Sequence, residues 1–99
     1  MSVQIIENWS ELVAQVKAIQ PAEDLDGFDL VELQVEEAFE VEGFPNLLAE
    51  SVGTSIEVFF PDECVKTYEI SPGIFVSCRV RRANLTRIFV HRDSISVLV

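Results

Sequence analysis

The sequence predicts a mostly-β domain with one N-terminal amphipathic helix, and three observations lead there. Apolar and polar residues alternate through a long central segment, 29–41. Shorter alternating segments follow, bounded by Gly or Pro. Ahead of them, apolar residues recur at helical rather than strand spacing. A chain of 99 residues supports a single domain, 1–99, around one core. Hydrophobic residues make up 48% and charged residues 24%, a balance that argues for a folded globule over disorder.

Asn8-Trp9-Ser10-Glu11 fits a capping box, with Asn8 as N-cap and Glu11 three residues on. Trp9, Leu12, Val13, Val16 and Ile19 then form one apolar stripe, which predicts a helix over about 9–20 that Pro21 stops. On that helix Trp9 is a core residue. Residues 22–27 read as a loop, and the β region occupies about 28–99. In the first strand Val31, Leu33, Val35, Phe39 and Val41 share the buried face, while Glu32, Gln34, Glu36 and Glu40 share the other. Glu37 would point inward on this phase, so a bulge or bend is expected at 36–38.

Gly43-Phe44-Pro45-Asn46 turns the chain, and Ile56, Val58 and Phe60 mark the next strand. Asp62 is expected to cap a short helical turn reaching Tyr68. Ser71-Pro72-Gly73 is a turn. Strands at 74–81 and 87–91 are joined by 82–86, and 94–99 is a last short strand.

A long bent strand, a Gly-led second segment, a short helical connection and two strands closed by an apolar end together resemble an OB-fold barrel. Residues 31–41, 53–61, 73–82 and 87–97 carry that resemblance, roughly two-thirds of the chain. It implies a small OB-like β-barrel of five to six strands. Two features depart from the pattern. OB domains usually carry their helix between the third and fourth strands, where this chain has room for a turn or two. The longest expected helix precedes the barrel instead. An SH3-like barrel is the alternative.

Charge is segregated along the chain. Residues 1–50 hold twelve acids and one base, Lys17; residues 51–99 hold five acids and six bases, for a formal net charge of −10. Five of the bases (Arg79, Arg81, Arg82, Arg87 and Arg92) cluster in 76–92 with His91 and no acid. The overall field repels duplex nucleic acid and anionic membrane, and it favours basic partners.

On the 74–91 hairpin, Ile74, Val76, Cys78, Val80, Ile88 and Val90 are expected inside. Phe75, Arg79, Arg81, Arg87, Phe89 and His91 then face out. A hairpin centred on Asn84 sets Arg81 opposite Arg87 and Arg79 opposite Phe89. Arginines interleaved with aromatic rings can stack bases and hold phosphates. The competing reading is internal: the resemblance implies that the fourth strand lies beside the first, so Glu32 and Glu36 would pair with Arg79 and Arg81. Arg82 and Arg87, at the loop end, are expected to be the least compensated. By the resemblance, the loops 43–46 and 82–86 flank the binding cleft. Phe44 is then either a stacking residue or a ring tucked under its turn.

Catalytic and metal signatures are missing from the sequence. His91 is the only histidine, Cys64 and Cys78 do not form C-x-x-C, and no phosphate-binding or nucleophile-elbow motif occurs. His91, Asp93 and Ser94 include triad residue types, but neighbours in a strand point to opposite faces. The sequence therefore predicts no enzyme and no cofactor. With no basic leader followed by an apolar run, the two cysteines read as reduced thiols in the cytoplasm, in preference to a disulfide. No run of eighteen apolar residues spans a membrane.

The expectation is a non-catalytic binding module. Its first reading is protein–protein interaction through an acidic face and a basic hairpin tip. The alternative is single-stranded nucleic-acid binding through Phe75, Arg79, Arg81, Arg82, Arg87 and Phe89.

Overall fold

The computed structural model describes residues 6–98. Its first element corrects the sequence reading. Ser10–Pro21 is not a helix but a strand, β1, paired on both sides. The sequence S-E-L-V-A-Q-V-K-A-I-Q carries two periods at once. Leu12 and Val16 belong to both, and Ser10, Leu12, Ala14 and Val16 alternate inward and are fully buried. Hydrogen bonding on two edges overrides the local helical preference. The expected capping box does other work: the Asn8 side chain donates to the Ile6 and Arg82 carbonyls and accepts from the Arg82 N–H, each at 2.9 Å.

β2 (Phe28–Glu40) runs antiparallel to β1 and buries Val31, Leu33 and Val35 as the alternation predicts. The expected bulge is present. Val13 faces Glu37 and Ala14 faces Val35, which leaves Glu36 as the extra residue. The bulge reverses the phase beyond it. Ala38 therefore packs against the core, while Phe39, expected inside, is 47% exposed. A second irregularity lies at Lys17, between Val16 and Ala18.

The connection after β2 includes a 3-10 turn at Ala49–Ser51 and drops Leu48 into the core. Gly53 then turns at φ 86°, a left-handed conformation that favours glycine, and its N–H donates to the Val35 carbonyl. β3 (Ser55–Pro61) pairs with β2 and buries Val58 and Phe60. Helix α1 (Asp62–Thr67) follows, as expected at this place, but Pro61 occupies the N-cap and no side chain caps it. Cys64 and Ile70 turn into the core.

β4 (Phe75–Arg82) returns beside β1 and also pairs with β5 (Ile88–Val90). β5 in turn meets β3 in parallel at Phe59 and Phe89. The order β1-β2-β3-β5-β4, with β4 back on β1, closes a mixed five-strand barrel. An extra strand, β6 (Ser96–Leu98), lies along β4 after a 3-10 turn at Arg92–Ser94. It matches the expected final strand in part; Val99 lies outside the described residues. The core is the inward face of every barrel strand, sealed by Leu48, Cys64, Ile70 and Ile95. Among the described residues no helix is long and apolar enough to cross a membrane.

Candidate functional site

The β4–β5 hairpin presents its arginines outward, but in a different register from the one expected. Arg81 lies opposite Phe89, not Arg87, and Arg82 lies opposite Ile88. The two like charges are therefore never set face to face. Arg81 instead sits over the Phe89 ring, 5.7 Å from its centroid, and Arg87 sits over Phe59 at 5.4 Å. Phe89 stacks on Phe59 at 5.2 Å and meets Phe28 edge-on at 5.8 Å. The outer face thus carries a trio of largely covered rings, Phe59 buried and Phe28 and Phe89 half-buried, with a guanidinium over two of them.

Phe28 and Phe59 were not among the sequence candidates. Phe59 did carry a signal: it is a large apolar residue on the outward phase of a strand whose core positions are Ile56, Val58 and Phe60. Phe75 and Phe44 stand apart from the trio. Phe75 is exposed at the start of β4, opposite Gln15 and Leu98, and Phe44 is half-buried in the β2–β3 connection.

The partners of the arginines also differ from expectation. Arg79 pairs with Glu11 across β1 and β4, Nε to Oε1 at 3.6 Å, and not with Glu32 or Glu36. The acidic strand expected beside β4 is β2, but the segment read as a helix takes that place. Arg87, expected to be uncompensated, pairs with Asp24 of the β1–β2 loop. The loop facing the hairpin tip is therefore 22–27. Arg92 pairs with Glu63 of α1. Arg81 and Arg82 meet no carboxylate among the described residues; the Arg82 guanidinium donates to the Leu85 carbonyl at 3.3 Å.

The acids are less well answered. Glu32 of β2 faces Glu57 of β3 directly across the ladder, and neither meets a cation among the described residues. Like charges so placed repel one another. Beside them, Gln20, Pro21, Glu23, Asp24, Leu30 and Phe59 line a shallow cavity of about 430 Å³.

A second cavity, of about 320 Å³, gathers Glu11, Arg79, His91, Asp93 and Ser94. Its residue types suggest catalysis, but its hydrogen bonds serve the backbone. Ser94 Oγ donates to the His91 carbonyl at 2.7 Å and accepts from the Arg79 N–H at 2.8 Å. His91 Nδ1 accepts the Asp93 N–H, capping the 3-10 turn. Trp9, expected in the core, is half-buried with its ring 5.5 Å from His91.

Cys64 and Cys78 are free and buried. Burial pushes the Cys78 thiol up to about 12, with the Glu11 charge a smaller cause; Cys64 is raised by burial and then by Asp93. Both thiols are thereby held in the unreactive protonated form. No group of three or more His, Cys, Asp or Glu able to hold a metal occurs among the described residues. Neither the known protein-family models nor the curated proteins yield a match to this sequence.

Proposed function

We propose that this chain is a non-catalytic binding barrel of the OB type that docks a basic protein partner on its acidic face. Two features support the OB assignment: α1 falls between β3 and β4, and β4 lies beside β1. The observation that carries the function is the uneven pairing of charge. Arg79, Arg87 and Arg92 each have a carboxylate of this same chain beside them, which leaves only Arg81 and Arg82 of the basic cluster without one among the described residues, whereas Glu32 and Glu57 face each other with no described cation. Internal pairing weakens the attraction of the hairpin for phosphates. A cationic side chain from a partner would relieve the repulsion between Glu32 and Glu57 and gain from the net charge of −10.

One observation favours a second reading, single-stranded nucleic acid: Arg81 and Arg87 lie over a cluster of three largely covered rings, and their guanidinium planes are suited to stacking bases. Fluorescence anisotropy with a labelled peptide alternating Lys and Leu, and with a labelled oligothymidylate, separates the two. The peptide should bind and weaken with salt, and Glu32→Lys with Glu57→Lys should abolish its binding. If the oligothymidylate binds instead, and Arg81→Glu removes that binding, the second reading replaces the first.

A further inference from the structure

β6 is paired with β4 along one edge only, and no strand among the described residues covers its other edge. Phe75 of β4 and Leu98 of β6 stand side by side on one face of this edge, and Val97 lies on the other face, beside Val76. Phe75, Leu98 and Val97 are 40%, 38% and 39% exposed. Open strand edges are usually guarded by lysine, proline or an inward charge. Ser96-Val97-Leu98 has none of these. The two segments that form this edge carry no charge: Ser94 to Leu98 and Ile70 to Cys78 hold no Asp, Glu, Lys, Arg or His.

We propose that this edge pairs with the same edge of a second copy, β6 against β6, forming a twofold dimer. Charge selects that occupant. Two copies of a chain at −10 repel each other wherever their acidic surfaces approach, and the β6 edge is a place where they can meet without opposing carboxylates. A basic partner gains nothing at an uncharged edge and is drawn to the acidic face elsewhere. Strand geometry agrees, because an antiparallel edge is self-complementary about a twofold axis. With three residues in β6, the symmetric register sets Val97 opposite its own counterpart and Ser96 opposite Leu98 of the second copy. Phe75 and Leu98 from each copy then cover the junction. The contact is small, so association belongs at protein concentrations of roughly 0.1–1 mM.

Sedimentation equilibrium over that range tests the proposal. The weight-average mass should rise from 11.1 kDa toward twice that value, and added salt should strengthen the association by screening the acids. Salt has the opposite effect on docking of a basic partner, so the two proposals fail separately. Phe75→Lys and Leu98→Lys should stay monomeric with unchanged circular dichroism, whereas Leu85→Lys, at a residue 69% exposed elsewhere, should associate as the parent does. Val97→Cys should crosslink to its counterpart under mild oxidation by diamide, since paired antiparallel residues have Cα separations within disulfide range. A parent chain that remains monomeric throughout overturns the proposal. So does a Val97→Cys variant that crosslinks no better than Leu85→Cys.

Discussion

The β1–β2 hairpin and the β4–β5 hairpin solve the same problem, burying one face of a two-stranded ribbon, with opposite charge. The first is long, 12 and 13 residues, bulged, and lined on its outer side by glutamates. The second is short and outwardly basic. The short one is the better compensated. Its Arg79 and Arg87 reach back to Glu11 and Asp24, which belong to the acidic hairpin and its loop. Seven Lys and Arg cannot neutralise seventeen Asp and Glu, so charge balance is local: it is met where β4 touches β1 and unmet where β2 touches β3.

The largest effect should come from the element that the two hairpins share. Leu12 is fully buried on β1, between β2 and β4. Leu12→Ala should cost about 2–5 kcal/mol in urea denaturation. A loss below 1 kcal/mol would mean that β1 is peripheral, and the barrel closure described here would fall with it. Next comes the polar anchor at the start of β1. Asn8→Ala leaves the Arg82 N–H and carbonyl without their partner and should cost about 1–3 kcal/mol. Asn8→Asp keeps the acceptor but sets a buried carboxylate oxygen against the Ile6 and Arg82 carbonyls, and should cost at least as much as Ala.

The third test uses the Cys78 thiol of β4. Its pKa is raised from 9.0 to about 12 in the folded state, so the folded chain holds a proton that the unfolded chain releases. Stability is therefore intact below pH 9 and falls as pH rises from 9.0 toward about 12, by about 1.4 kcal/mol per pH unit from this group. Denaturation at pH 8, 9.5 and 10.5 should show a shallower decline for Cys78→Ala than for the parent; parallel declines would remove this account of alkaline sensitivity. The smallest effect is expected at the unanswered acid pair. Glu57→Lys converts a repulsive cross-strand pair into an attractive one and should stabilise by about 0.2–1 kcal/mol. No change, or a loss, would show that solvent already screens Glu32 from Glu57.

Much of the β architecture was legible in the sequence because alternation reports burial wherever one face of a strand is covered. Val31, Leu33 and Val35, the bulge beside Glu36, the Val58 and Phe60 strand and the inward phase of β4 all followed from that rule, while the helical turn after Pro61 was expected from Asp62 as a cap that the structure does not use. Phe39 escaped it for a local reason: a single extra residue reverses the phase of everything beyond. The candidate site was only half legible. Arg81, Arg87 and Phe89 do come together, but their companions Phe28, Phe59 and Asp24 lie on segments distant in sequence.

Composition and periodicity by themselves determined the single core, its mostly-β character, the inward faces of β2, β3 and β4, and the segregation of charge. Those properties depend on each segment alone. Tertiary structure decided the fate of 10–21, because a stretch with both helical and strand periods takes whichever form gives its backbone groups partners, and here both neighbours are strands. It also decided which arginine meets which acid. Pairing depends on strand order and on the register of the β4–β5 hairpin, which lies two residues from the one expected, and neither is written in the local pattern of any one strand.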